Sequence, residues 1–188
     1  MTTARWMAVV LILGGGTAFL HGAWIPVKAW VAQQLLDHAW QQRRAGEPAA
    51  RPWPWADTHP LARLRQARLG IDQVVLAGTS GRVLAFGPGH LPGSAAPGDD
   101  GNVVLSGHRD THFAWLQHLG TGDELVLETP AGRRMRYAVW HTEVVDQADT
   151  AAIYRGADVS MLRLVTCYPF AAVTPGGRQR YVVSAIRL

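Results

Sequence analysis

Three residue types that cooperate in acyl transfer occur at the ends of predicted strands. Cys167, the only cysteine, closes the mostly apolar run Met161–Val165, and His108 follows the run Asn102–Ser106. A nearby histidine can supply the base or cation that a thiol needs to react near neutral pH, and the guanidinium of Arg180 can bind a developing oxyanion. These residues suit attack on a carbonyl carbon. The alternative, a small buried thiol without chemistry, stays open on these residues alone.

Beyond residue 55, short apolar or alternating runs separated by Gly- and Pro-rich turns predict strands, and two segments predict helix. Phe113–Leu119 suits one or two helical turns, and Val145–Ser160 suits a longer, partly helical excursion. Many short strands and little helix predict a mainly β fold that closes, or nearly closes, into a barrel. The predicted strands are Leu61–Ala67, Ile71–Ala77, Asn102–Ser106, Asp123–Glu128, Arg134–Val145, the run leading to Cys167, and Arg180–Arg187.

The N-terminal part of the chain predicts a membrane anchor and a linker. Trp6–Ile25 holds twenty residues without an acidic or basic side chain other than His21, enough for a helix to cross a bilayer core. We therefore predict an anchor at residues 1–26 in preference to a cleaved signal peptide. Residues 27–55 predict a juxtamembrane helix and a Pro/Trp-rich linker, in which Trp53 and Trp55 could touch the bilayer or the domain. The catalytic domain is predicted at residues 56–188.

The sequence argues against two further classes of partner, nucleic acids and metal ions. The formal net charge is +4, but the arginines are scattered along the chain, which argues against a nucleic-acid surface. His108 and His112 have the spacing of a zinc helix, yet Arg109 stands where a metalloprotease needs its glutamate. We therefore predict no metal site. One cysteine also means no internal disulfide, so packing must hold the fold.

Three segments in this order resemble the sortases, which are membrane-anchored cysteine transpeptidases. Leu164–Cys167 is similar to the active-site cysteine motif of that family, Ser106–Thr111 to its histidine segment, and Arg180–Val183 to the strand with its essential arginine. The segment Thr166–Phe170, together with the Pro-Gly-Gly turn, most resembles the Gram-negative, marine-type sortases. One difference is Arg163, which stands where the family has a threonine.

The resemblance implies a closed barrel of about eight strands, no cofactor and a catalytic set of His108, Cys167 and Arg180. Arg178 is a rival to Arg180, and Thr166, Asp110 and Arg178 are expected to contact substrate. Asp110 either orients His108 or pairs with Arg109, and the sequence favours the pairing.

The implied activity is cleavage of a C-terminal sorting signal similar to Leu-Pro-x-Thr-Gly, followed by transfer of the acyl group to an amine. The partner is then a client protein that carries such a signal, and the acceptor amine is unknown. The expected location is the inner membrane, with a single pass and the domain outside the cytoplasm. Two alternatives remain: a thiol peptidase that transfers to water, and a silent membrane-tethered domain that binds a protein.

Overall fold

The computed structural model describes residues 2–151, 159–174 and 176–188. Two α-helices, one short 3₁₀ helix and eight strands occur among these residues. Residues 152–158 of the predicted excursion at Val145–Ser160 lie outside the described residues, and its first two residues belong to a strand. The elements are α1 (Thr2–Arg44), β1 (Pro60–Gln66), β2 (Ile71–Ala77), α2 (Gly81–Leu84), β3 (Gly89–His90), β4 (Asn102–Ser106), the 3₁₀ helix (Ala114–His118), β5 (Glu124–Glu128), β6 (Arg134–Asp146), β7 (Met161–Tyr168) and β8 (Gln179–Arg187).

The eight strands form a closed barrel in the order β1-β2-β3-β4-β7-β8-β6-β5, which confirms the predicted mainly β fold. Neighbouring strands are antiparallel, apart from the parallel pairs β2/β3 and β4/β7. Alternate side chains point into the barrel, as the alternation in the sequence predicts. On β7, Leu162 and Leu164 belong to the buried core, whereas Cys167 lies on the outer face and is half-buried.

Two short elements were not predicted. β3 lies inside the passage from Gly87 to Gly101, which the sequence presents as a loop of turn residues, and it has only two residues. Its pairing with β2 and β4 depends on partners elsewhere in the chain, so no local pattern could indicate it. Helix α2 is a single turn in which the Ser80 hydroxyl accepts a hydrogen bond from the Val83 amide.

Helix α1 continues without a break through Pro26 to Arg44, as the sequence predicts for the juxtamembrane part. Its C-terminal part packs on the barrel through Leu36 and Trp40, which form a second core with β2 and α2. The linker is attached at the same place, because Trp53 contacts the ring of Phe86 edge-on at 4.9 Å. Trp55 is exposed.

The expected transmembrane helix at residues 1–26 is not found. Within the part of the chain that the structure describes, no helix is both long and apolar enough to cross a membrane.

Candidate active site

The parallel pairing of β4 with β7 brings the ends of these two strands together. Ser106 lies opposite Val165 at the end of the ladder, and the same offset along the chain relates His108 to Cys167. The ladder continues one step beyond the strand, since the Gly107 amide donates to the Val165 carbonyl at 3.2 Å. The predicted base and the predicted nucleophile therefore reach the same edge of the barrel.

The antiparallel pairing of β7 with β8 places Arg180 directly opposite Cys167. Residues directly opposite in a ladder project from the same face, so Arg180 shares the face of the thiol. Its guanidinium donates to the Gly177 carbonyl at 2.6 Å, the Gln179 carbonyl at 2.9 Å and the Gln147 side-chain oxygen at 2.8 Å. The half-buried cation is thus held by the turn before β8, by the first residue of β8 and by the residue that follows β6.

Arg178, the rival to Arg180, lies just before β8, which begins at Gln179. Its side chain is 77% exposed and forms an ion pair with Asp146 at 3.3 Å. The register therefore gives the position opposite Cys167 to Arg180 and leaves Arg178 on the surface beside it.

The turn that carries His108 is fixed by a close contact between Gly107 and Phe113. The His108 carbonyl accepts from the Phe113 amide at 3.0 Å, and the fully buried Phe113 ring lies against Gly107. A Cβ atom at residue 107 would come within 2.8 Å of that ring, which no side chain tolerates without a shift. The glycine that precedes the histidine is therefore required for this packing, while the His108 side chain stays exposed.

Thr166 lies on the inner side of β7, opposite to the expectation that it contacts substrate. It is 2% exposed, and its hydroxyl donates to the Gly107 carbonyl at 2.7 Å. In a strand the side chain next to Cys167 must point to the other face, which accounts for the difference. The hydroxyl instead joins the cysteine strand to the residue before His108.

Asp110 pairs with Arg109, as the sequence favoured. The Arg109 Nε donates to one carboxylate oxygen at 2.8 Å. The hydrogen bond from Arg109 lowers the pKa of the Asp110 carboxyl, and the positive charges of Arg109 and His108 add to the effect. The Asp110 side chain is 64% exposed. Asp110 is therefore an anionic group at the rim of the site.

The loop after Cys167 is held by an aromatic cluster that the sequence did not predict. Tyr168 stacks on Tyr181 with ring centroids 6.2 Å apart, and Phe170 meets Tyr181 edge-on at 5.2 Å. Phe170 and Tyr181 also pack against the barrel core. Phe170 and Tyr181 thus attach the loop that follows Cys167 to the hydrophobic core of the barrel.

His112 lies beside this edge and is half-buried. Burial lowers the pKa of its imidazole, and the charge of His108 lowers it further. Its carbonyl accepts from Gln73 Nε2 at 2.9 Å and from Trp115 Nε1 at 2.7 Å. Among the residues described, no group of three or more His, Cys, Asp or Glu side chains could hold a metal ion.

A family model of the sortase domain matches residues 64–188 of this chain. The match covers the barrel from β1 to the last strand, including all the positions described above. The chain belongs to the sortase family.

Individual sortases show the same likeness. Over 121 residues the chain is 35% identical to sortase D of Bacillus subtilis (strain 168), covering 64% of this chain and 60% of that protein. The solved structure of sortase A from Corynebacterium diphtheriae superposes with a TM-score of 0.64 and 27% identity, over 71% of this chain and 63% of that one. The chain thus spans somewhat under two thirds of the length of these relatives.

A sortase transpeptidase from Clostridium perfringens shares the fold over a larger part of both chains. Its TM-score is 0.64, and the superposition covers 84% of this chain and 96% of that one at 22% identity. At that identity the likeness concerns the fold alone.

Proposed function

We propose that this protein is a cysteine transpeptidase that cleaves a C-terminal sorting signal and transfers the acyl group to an amine. The observation that supports the proposal is the register around β7: Arg180 on β8 pairs with Cys167, and His108 follows the end of β4, the other neighbour of β7. Membership of the sortase family supports the same reaction. A marine-type, Gram-negative subclass is part of the proposal and rests on the sequence motifs alone.

In the first half-reaction, the Cys167 thiolate attacks the carbonyl carbon of the scissile peptide bond. The C–S bond forms and the carbonyl oxygen becomes an oxyanion, which the Arg180 guanidinium stabilises. The oxyanion then collapses, the C–N bond breaks, and protonated His108 gives its proton to the leaving amine. The products are a thioester on Cys167 and the released C-terminal fragment.

In the second half-reaction, neutral His108 takes a proton from the acceptor amine as it attacks the thioester carbonyl. The C–S bond then breaks, the thiolate leaves, and a new amide bond forms. The cycle returns His108 to its protonated form and Cys167 to the thiolate. No oxidant, reductant or cofactor is required for this balance.

The direct test follows the mass of the full chain during incubation with a library of Leu-Pro-x-Thr-Gly-type peptides, with and without an amine. We expect an acyl adduct on Cys167 that the amine converts to an amide product. Cys167→Ala should form no adduct. His108→Ala should slow the reaction by about 10²–10⁴-fold, and Arg180→Ala by about 10²–10³-fold.

The other outcomes of this test correspond to the alternative functions. An adduct that only water resolves, whatever the amine, would identify a thiol peptidase. A folded chain that forms no adduct with any peptide would contradict the proposal and favour a binding domain.

The location is a separate proposal, with the barrel outside the cytoplasm and the N-terminal segment in the inner membrane. It is supported by the run Trp6–Ile25, which has no acidic or basic side chain except His21. If the segment is an anchor, the chain should stay in the membrane fraction after washing with alkaline carbonate, and deletion of residues 1–26 should release it. Release of the full-length chain by the wash would contradict this location.

A further inference from the structure

Arg109 is a buried cation that follows His108 directly. Its side chain is 4% exposed, although arginine is rarely buried unless its donors are satisfied. Nη1 donates to the Pro169 carbonyl at 2.8 Å, and Nη2 donates to the Ala172 carbonyl at 3.0 Å. Nε and Nη2 bind the two carboxylate oxygens of Asp110 at 2.8 and 3.3 Å.

These bonds join two segments that approach the nucleophile from different strands. Pro169 and Ala172 belong to the loop that follows Cys167, whereas Arg109 belongs to the turn that carries His108. A guanidinium is a rigid planar fork, so it can hold two carbonyls and a carboxylate in fixed directions, which an ammonium cannot do. This side chain therefore links the histidine turn to the loop that follows the cysteine.

The guanidinium of Arg109 also lies beside the residues that follow the thiol, since the Pro169 carbonyl that it binds is two residues beyond Cys167. The hydrogen bond to Asp110 raises the pKa of the Arg109 guanidinium against the effect of burial. The buried side chain is therefore a cation paired with Asp110. The other charged groups at this edge are His108, Arg180 on β8 and the exposed carboxylate of Asp110.

We propose that Arg109 is a positioning residue for acyl transfer: it fixes His108 relative to Cys167. The inference rests on the proposed function, because it assigns Arg109 a role in that reaction. Arg109 touches neither the substrate nor the reacting atoms in this role. It acts through the histidine turn and through the loop that follows the cysteine.

The test compares Arg109→Gln and Arg109→Lys with a matched control, Arg68→Gln, in the full chain. Arg68 makes a similar set of bonds to residues outside the site, with Nε and Nη2 on Asp123 at 2.8 and 2.6 Å and Nη2 on the His118 carbonyl at 2.7 Å. Two rates are measured at neutral pH: acylation by the peptide in a single turnover, and alkylation of the thiol by iodoacetamide. Alkylation reports Cys167 alone, since the chain has one cysteine.

The two rates separate the position of the base from the state of the thiol. Arg109→Gln should slow acylation by about 10–100-fold without a change in peptide affinity, because a small misplacement of the base is costly. Alkylation does not need the histidine at a fixed position, so its rate should stay at the wild-type value. Arg109→Lys should not restore the acylation rate, because an ammonium cannot hold two carbonyls and a carboxylate in fixed directions. Arg68→Gln should leave both rates unchanged.

A double-mutant cycle with His108→Ala provides the decisive comparison. If Arg109 acts through His108, Arg109→Gln should slow acylation much less in the His108→Ala chain than in the wild type. An equal loss in both backgrounds would overturn the proposal, and so would a fall in melting temperature with both rates intact. If no peptide acylates even the wild type, the proposed function fails; if the wild type is acylated and Arg109→Gln reacts equally fast, only this inference fails.

Discussion

The side of the barrel beneath α1 and the edge that carries Cys167 are held by different kinds of contact. Under the helix, the packing is apolar. Leu36, Trp40 and Leu76 are each at most 1% exposed and form a continuous cluster with Val74 and Val83. Such burial supplies stability in proportion to the area removed from water and does not depend on exact direction.

At the catalytic edge, buried polar side chains set the geometry. Thr166 and Arg109 are 2% and 4% exposed, and each is hydrogen-bonded to backbone carbonyls of a neighbouring segment. Hydrogen bonds add little net stability but fix distance and direction. The contrast suggests that substitutions beneath α1 lower stability, whereas substitutions around His108 lower activity in a chain that still folds.

The largest effect should come from Trp40→Ala in the helix contact. Loss of a fully buried tryptophan side chain should lower the free energy of unfolding by about 3–5 kcal/mol, because a large cavity forms. Chemical denaturation measures this loss. Acylation per folded molecule should not change, since the hydrophobic cluster around Trp40 contains no residue of the catalytic edge.

The control for this prediction is Trp55→Ala, because Trp55 is 83% exposed. Trp55→Ala should not change the midpoint of chemical denaturation. A drop in the rate per folded molecule of Trp40→Ala would break the contrast between the two regions.

The strands of the barrel were predictable because their signal is local. Alternation or short apolar runs placed β2 and β4 at the observed residues and β1, β5, β6 and β8 within one or two residues. β3 was not predicted, because a strand of two residues is too short to show an alternating pattern of apolar and polar side chains. The position of Arg180 opposite Cys167 also required the register, although the sequence preferred Arg180 to Arg178.

The contacts that fix the site were not predictable, because their partners are distant in the chain. Arg109 binds carbonyls 60 and 63 residues away, and any residue type has a carbonyl. Asp110 is adjacent to Arg109 in the sequence and has the opposite charge, so the sequence indicated this ion pair but not the bonds to the two carbonyls. Thr166 was expected to contact substrate because of its motif, whereas the alternation of β7 puts it inside the barrel with Leu164.

An intermediate effect, mainly on activity, is expected from Gly107→Ala. The new methyl group would lie 2.8 Å from the Phe113 ring, so the ring or the turn of His108 must move. We expect acylation to slow by about 10–100-fold and stability to fall by about 1–3 kcal/mol. Single-turnover acylation and denaturation on the same preparation measure both.

Gly120→Ala is the matched control, because a Cβ at Gly120 would meet nothing within 4 Å. Both quantities should stay near the wild-type values in this variant. A Gly107→Ala chain that acylates at the wild-type rate would show that the turn tolerates displacement, and the edge would then not depend on fixed geometry.

The smallest expected effect is on the pH dependence of stability. It concerns His112, which lies between the helix contact and the catalytic edge. His112 lies four residues after His108 and lines a cleft of about 340 Å³ between α1 and β2. Burial lowers the pKa of its imidazole, and the charge of His108 lowers it further. The unfolded chain, with an ordinary histidine pKa of about 6.5, therefore binds the proton more readily than the folded one.

Stability should consequently fall as the pH drops below about 6.5, because proton uptake then favours the unfolded state, and the fall should stop below the pKa of folded His112. His112→Gln should reduce this slope, measured as the melting temperature between pH 7 and pH 5. Part of the slope should remain, because burial and the charges of Arg43 and Arg51 lower the pKa of His59 in the same direction. The exposed His118 provides the control: equal slopes for His112→Gln and His118→Gln would show that protonation of His112 does not oppose folding.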